Sequence, residues 1–188
     1  MQKKQIIHRV ILAAQKAFQK DEVPVGCVVF ESHSGKIIAT GYNQVEAQKN
    51  PLAHAEILTI QKALKKLNTK YLNGYSLFVS LEPCVMCAGA IAWARLDAVY
   101  YGATDPKTGG IRQGAKVFCR PQTHHKLKVR LKKIPQCSQM MTDFFTQKRL
   151  HKKNKKNKEA DNFSRHTIVI IIGHCYFLLL LSICINRY

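Results

Sequence analysis

The strongest constraint on the fold of this chain is a pair of short patterns of metal-binding residues. The first is His54-Ala55-Glu56, and the second is Pro83-Cys84-Val85-Met86-Cys87, and each stands at the start of a predicted helix. One histidine and two cysteines provide three ligands for a tetrahedral zinc ion and leave its fourth position open, as in catalytic rather than structural sites. If the patterns act together, the fold must bring two distant segments to one point.

The spacing within the second pattern suits a metal site on one helical turn. Cys84 and Cys87 are three residues apart, so both sulfur atoms can face the same point. The positive end of the helix would stabilise both thiolates. Pro83 costs no hydrogen bond there, because the first turn of a helix leaves its N–H groups unpaired.

Glu56 is two residues from His54 and should lie near the metal without binding it. Zinc lowers the pKa of a bound water from 15.7 toward about 7, so a zinc-bound hydroxide would be available to attack near neutral pH. A carboxylate within hydrogen-bond reach can take the proton of that water and deliver it to the substrate. We therefore expect Glu56 to be a catalytic proton shuttle.

Each pattern alone has other interpretations. A Cys-x-x-Cys pair can be a redox pair or half of a structural zinc site, and a single His-x-Glu carries almost no information. Taken together, with a proline before the first cysteine, they are similar to the signature of the zinc-dependent nucleobase deaminases.

The predicted elements alternate in a way that indicates a mixed sheet with helices packed on its faces. Hydrophobic periodicity and turn residues define their order. They are helix 5–19, strands 25–31 and 36–43, loop 44–52, helix 53–67, strand 76–81, helix 84–94, strand 98–102, glycine-rich loop 103–114, a short strand 129–131 and a final helix 136–151.

Length and composition limit the class of protein. A chain of 188 residues is long enough for one core-forming domain, with little left for a second. The net charge of +19 indicates a polyanionic partner, either nucleic acid or an anionic membrane, unless it reflects a solvated lysine-rich tail. Seven cysteines, an odd number without regular spacing, argue against a disulfide framework, and no secretory signal is evident at the N-terminus. These features favour a reducing cytoplasm.

The C-terminal part changes in composition twice. We predict a deaminase domain over 1–151, a basic and disordered linker over 152–166 and a hydrophobic tail over 167–188. Residues 168–185 carry no Asp, Glu, Lys or Arg and are a marginal membrane-span candidate. The tail could be a membrane anchor, a non-native extension from a shifted frame or lost stop codon, or a buried apolar segment; we favour the extension.

Roughly residues 5–149 resemble the bacterial tRNA-specific adenosine deaminases. The matching stretches are Glu22-Val23-Pro24-Val25-Gly26, Gly41-Tyr42-Asn43, Ala53-His54-Ala55-Glu56-Ile57, Leu81-Glu82-Pro83-Cys84-Val85-Met86-Cys87-Ala88-Gly89-Ala90, Tyr101-Gly102-Ala103, Lys107-Thr108-Gly109 and Asp143-Phe144-Phe145. The resemblance implies the cytidine-deaminase-like three-layer α/β/α fold with a central mixed five-stranded sheet. It also implies a homodimer with one zinc ion per subunit, held by His54, Cys84 and Cys87, with Glu56 as general acid and base.

The same resemblance assigns three further residues to the substrate. Asn43 would hydrogen-bond the flipped base, Asp105 would lie in a loop that approaches the RNA, and Phe145 would stack near the nucleotide. Each position also has an ordinary interpretation: a turn asparagine, a turn aspartate before proline, and a core aromatic residue.

The resemblance implies a cytoplasmic hydrolase that converts the wobble adenosine of a tRNA, in the family an arginine acceptor, to inosine. The alternative is a deaminase of a free guanine- or cytosine-type base, nucleoside or nucleotide, because the zinc chemistry is shared. A third hypothesis is a non-catalytic RNA-binding subunit with structural zinc, but such a protein would have no use for Glu56. A membrane would be a partner only if the tail is an anchor.

Five other cysteines without a pairing pattern are interpreted as small apolar residues: Cys27, Cys119, Cys137, Cys175 and Cys184.

Overall fold

The computed structural model describes residues 2–156, and its contacts divide the chain into one unit over Met1–Phe144 and another over Phe145–Tyr188. In the first unit the elements are α1 (Gln2–Gln19), β1 (Gly26–Glu31), β2 (Ile37–Tyr42), α2 (Val45–Gln48), α3 (Ala55–Leu67), β3 (Tyr75–Leu81), α4 (Val85–Trp93), β4 (Ala98–Ala103), a 3-10 turn (Val117–Cys119) and β5 (Lys128–Leu131), followed by helical residues 135–144. In the second unit, residues 145–156 are helical.

The five strands form one mixed sheet in the order β2-β1-β3-β4-β5. Strand β1 runs antiparallel to both β2 and β3, whereas β3, β4 and β5 are parallel to one another. Parallel neighbours need a crossover connection, and α4 provides it between β3 and β4. The predicted α/β class and five-stranded sheet are confirmed.

Strand β1 separates two apolar clusters because its side chains alternate between the faces of the sheet. Cys27 and Val29 belong to the larger cluster, which α3 and α4 help to form. Val28 and Phe30 belong to the smaller cluster, to which α1 contributes. Burial of apolar surface on both faces stabilises the sheet by about 25 cal/mol for each Å² removed from water.

Close packing of α1 on β1 depends on Gly26. A Cβ atom at this position would lie 2.3 Å from the carbonyl oxygen of Val10 and 2.4 Å from the backbone nitrogen of Ala14. A residue with a side chain would therefore push the helix away from the central strand.

The structure corrects the sequence prediction in one connecting segment. Residues 44–52, predicted as a loop, contain the short helix α2. The 3-10 turn lies in a segment for which no element was predicted. Within the predicted linker, residues 152–156 are helical, whereas the rest of the linker and the whole predicted tail lie outside the described residues. Among residues 2–156, no helix combines the length and apolar character that a membrane crossing requires.

Three of the five cysteines outside the second pattern are described. Cys27 and Cys137 are buried and pack as small apolar residues, as predicted. Cys119 is exposed, so the same interpretation was wrong for that position. Cys175 and Cys184 lie outside the described residues.

Candidate active site

The two metal-binding patterns meet at the start of two helices. His54 is the residue immediately before α3, and Cys84 is the residue immediately before α4. The His54 Nδ1 atom lies 3.5 Å from the Cys87 Sγ atom and 3.8 Å from the Cys84 Sγ atom. The three ligand atoms lie within 4.8 Å of one another, and within residues 2–156 this is the one such group of three or more His, Cys, Asp or Glu residues.

The chemistry of these three side chains fits zinc. Two sulfur atoms and an imidazole nitrogen bind zinc in preference to harder cations. Three protein ligands are the usual number in catalytic zinc sites. The pKa of Cys84 is lowered to about 4, first because Cys87 hydrogen-bonds to its sulfur and also because His54 does so. The same hydrogen bond raises the pKa of the Cys87 thiol. The pair therefore holds a thiolate at neutral pH, and a cation can take the place of the shared proton.

Glu56 lies in the first turn of α3, beside the three potential ligands but outside their cluster. Its side chain is 4% exposed. Burial raises the pKa of its carboxyl group to about 7, and the negative charge of Cys84 acts in the same direction. A carboxyl group with this pKa can both accept and donate a proton near neutral pH, which is what a proton shuttle requires.

Asn43 follows strand β2 and is buried, with 5% of its surface exposed. Its backbone N–H donates to the carbonyl oxygen of Val25 over 3.0 Å. The next residue, Gln44, donates its backbone N–H to the carbonyl oxygen of Ala53, also over 3.0 Å. Because Ala53 precedes His54, these bonds fix Asn43 to the segment that carries the first potential ligand.

Asp105 has the hydrogen bonds of a turn residue. Its Oδ1 atom accepts the backbone N–H groups of Lys107 over 2.9 Å and Thr108 over 3.1 Å, and the hydroxyl of Thr108 donates to Oδ2. Asp105 therefore has the local structure of an ordinary turn aspartate before proline. Its approach to RNA stays a prediction.

Phe145 begins the second unit, and 43% of its side chain is exposed. The buried aromatic residue is its neighbour Phe144, whose ring lies 5.8 Å from that of Phe18 in an edge-to-face arrangement. The core interpretation thus applies to Phe144, and stacking of Phe145 on a nucleotide stays a prediction.

Glu82 organises the glycine-rich loop next to the potential ligands, a role that the sequence did not reveal. Its side chain is 2% exposed, and its Oε1 atom accepts the backbone N–H of Arg112 over 2.7 Å. The same carboxylate accepts longer bonds from other loop N–H groups: Asp105 (3.3 Å), Ile111 (3.2 Å) and Gln113 (3.4 Å). The loop also donates from the Gly110 N–H to the carbonyl oxygen of Pro83 over 2.8 Å. The loop is therefore held against the segment that begins with Pro83.

Replacing Glu82 with alanine is expected to lower the free energy of unfolding by about 3 kcal/mol, because one buried and three partly buried N–H groups would lose their acceptor. Urea denaturation measures this change. The matched control is Glu46→Ala, which removes an exposed carboxylate and should change stability by less than about 0.5 kcal/mol. Equal midpoints for the two variants would contradict the assigned role.

Known proteins are similar in sequence and structure to most of this chain. Residues 1–149 match the model of the MafB19-like deaminase family. The tRNA-specific adenosine deaminase of Aquifex aeolicus (strain VF5) is 38% identical over 145 residues, which cover 77% of this chain and 95% of that protein.

Two solved structures are also similar. One, from a study of A-to-I editing by tRNA:A34 deaminases at the wobble position of transfer RNA, has a TM-score of 0.67 and 37% identity and covers 70% of this chain and 100% of its own. The other, guanine deaminase from Bacillus subtilis, has a TM-score of 0.52 and 28% identity and covers 76% of this chain and 93% of its own.

Proposed function

Because the chain belongs to the MafB19-like deaminases and to the tRNA-specific adenosine deaminases, we propose that it converts adenosine at the wobble position of a tRNA anticodon to inosine. The enzyme is a hydrolase that acts on a C–N bond. The observation that carries the proposal is the convergence of His54, Cys84 and Cys87 beside the buried carboxyl group of Glu56, in a chain that aligns with 95% of a tRNA-specific relative.

His54, Cys84 and Cys87 would hold one zinc ion per chain. Bound there, zinc would supply a Lewis acid that lowers the pKa of a water molecule toward about 7. The helix N-termini at His54 and Cys84 contribute positive potential that favours the thiolate forms of the two cysteines.

Glu56 would move the protons of the reaction. It takes a proton from the attacking water, whose oxygen adds to C6 of adenine, and passes that proton to the ring. It then assists transfer of a proton to the exocyclic amine, which leaves as ammonia when the C6–N bond breaks. Water and adenosine thus yield inosine and ammonia, and Glu56 returns to its starting state.

An anticodon loop is a favourable target because its bases are already partly unstacked, so that turning one base into a pocket costs little. The net charge of +19 supports an RNA partner, since lysine and arginine side chains neutralise phosphates. By family resemblance we extend the proposal to an arginine tRNA in the cytoplasm.

The proposal includes a homodimer. Helix α4 leaves an apolar face uncovered, on which Val85 is 51% exposed and Trp93 is 70% exposed. Gly89 lies between them, and a Cβ atom there would meet nothing within 4 Å. A second copy of the chain would cover this face, and sedimentation of a monomer at micromolar concentration would contradict this part of the proposal.

The alternative is deamination of a free guanine- or cytosine-type base, nucleoside or nucleotide, and the similarity to a guanine deaminase supports it. The two functions are separated by offering zinc-loaded protein an anticodon stem-loop RNA, free guanine and free cytidine in parallel. We expect ammonia release from the RNA alone. Release from guanine or cytidine, with the RNA unchanged, would establish the alternative.

A further inference from the structure

Glu22 is a buried carboxylate next to Asn43, and the proton transfers proposed above assign no role to it. Its side chain is 1% exposed. Its Oε2 atom accepts a hydrogen bond from the Asn43 Nδ2 amide over 3.0 Å, and its Oε1 atom accepts the backbone N–H of Ala47 over 2.8 Å. Both carboxylate oxygens are therefore engaged, one with the side chain predicted to contact the base and the other with the short helix α2.

The backbone of Glu22 is fixed by the end of helix α1. Asp21 has the left-handed conformation, with φ of 61°, and donates its N–H to the carbonyl oxygen of Phe18. Glu22 donates its own N–H to the carbonyl oxygen of Ala17. This pair of bonds is the Schellman motif that closes a helix. The carboxylate thus extends from a rigid point, which suits a residue that must hold another side chain in place.

A carboxylate only accepts hydrogen bonds, so it determines which end of the neighbouring carboxamide faces it. The Asn43 side chain must turn its NH₂ group toward Glu22, which leaves Oδ1 and the second amide hydrogen for other partners. Within residues 2–156, every fully buried side-chain nitrogen and oxygen atom has a hydrogen-bond partner. The carboxamide can therefore meet a ligand in one defined orientation.

We propose that Glu22 is a positioning residue, which fixes the carboxamide of Asn43 in the orientation that recognises the flipped adenine. The proposal rests on the proposed deamination and on the predicted contact between Asn43 and the base. Buried polar groups fixed in this way discriminate strongly, because a nucleotide with the wrong donor or acceptor leaves them unpaired.

The test is Glu22→Gln, which preserves shape but changes one oxygen into a donor. The backbone N–H of Ala47 cannot become an acceptor, so the introduced glutamine must keep its carbonyl oxygen there and point its NH₂ group at Asn43. Asn43 must then rotate and present Oδ1 to that NH₂ group, which reverses the donors and acceptors offered to the base. We expect kcat/KM on the stem-loop RNA to fall about 10- to 100-fold. KM should change by less than about twofold, since phosphate contacts supply most RNA affinity.

A double-mutant cycle separates positioning from general structural support. If Glu22 acts through Asn43, the double variant Glu22→Gln/Asn43→Ala should be within about twofold of Asn43→Ala alone. The matched control is Glu46→Gln, an exposed charge removal in α2, which should leave kcat/KM unchanged. The proposal would be overturned if Glu22→Gln had wild-type activity. It would also be overturned if Glu22→Gln lowered kcat/KM by the same factor in the presence of Asn43 and in the Asn43→Ala background. Lack of RNA activity in the wild type would instead count against the proposed function.

A second measurement needs no variant of Glu22 and no substrate. In the NMR spectrum of ¹⁵N-labelled wild-type protein, the side-chain amide of Asn43 is assigned by its loss in Asn43→Ala. One of its protons should be shifted downfield and protected from exchange relative to the exposed Asn68. Exchange of the Asn43 amide as fast as that of Asn68 would overturn the proposal.

Discussion

Glu56→Gln is expected to lower kcat for wobble deamination by a factor of about 100 to 10,000, the usual contribution of general acid–base catalysis. The amide has nearly the shape of the carboxyl group but cannot take a proton from water or return one to the substrate. Burial raises the pKa of the Glu56 carboxyl to about 7, so this group carries both protonation states near neutral pH. Single-turnover assays on a stem-loop RNA measure the effect independently of product release.

Two controls make the Glu56 result specific. Zinc content should match that of the wild type, because Glu56 is outside the ligand cluster. Glu46→Gln removes an exposed carboxylate and should retain full activity. A Glu56→Gln protein that is folded, zinc-loaded and fully active would remove the proposed mechanism and favour a role for this carboxyl in structure.

Cys87→Ser is expected to lower zinc affinity by more than about 100-fold. Mutation of residues that only hydrogen-bond to a metal ligand already lowers metal affinity about 10- to 100-fold, and loss of a ligand should cost more. The Cys87 sulfur is buried and lies 3.5 Å from His54 Nδ1, so this variant removes one of the two sulfur atoms in the ligand cluster. Dialysed protein should contain little zinc by elemental analysis, and its deaminase activity should fall to background.

The matched control for Cys87 is Cys119→Ser. Cys119 is an exposed free cysteine outside the ligand cluster, so this variant should keep both zinc and activity. Equal zinc content in the two variants would contradict the assignment of Cys87 as a ligand.

Much of the fold and the potential metal site could be predicted because their signals are local. The continuous apolar run of β1 and the helical periodicity of α3 depend on residues close in sequence. The spacing of Cys84 and Cys87 within one turn likewise indicates two ligands without any knowledge of the rest of the chain. The order of the strands depends on contacts between distant segments, and local patterns do not indicate it.

Two buried carboxylates could not be assigned roles from sequence. The partners of Glu82 are backbone N–H groups of a loop more than twenty residues later, and backbone groups leave no mark in the identity of the residues that carry them. The same reason explains why α2 was predicted as a loop. This helix spans only Val45–Gln48, and the N–H of its residue Ala47 is bonded by Glu22, a contact that local periodicity cannot indicate.

Deamination of the wobble adenosine of a tRNA by this chain can be tested directly. In the most direct test, zinc-loaded protein is incubated with an anticodon stem-loop that carries adenosines at the wobble position and elsewhere in the loop. Inosine is then mapped along the RNA by mass spectrometry. We expect replacement of the amine by oxygen at the wobble position alone. An unmodified RNA with folded, zinc-loaded protein, or inosine spread over all loop adenosines, would contradict it.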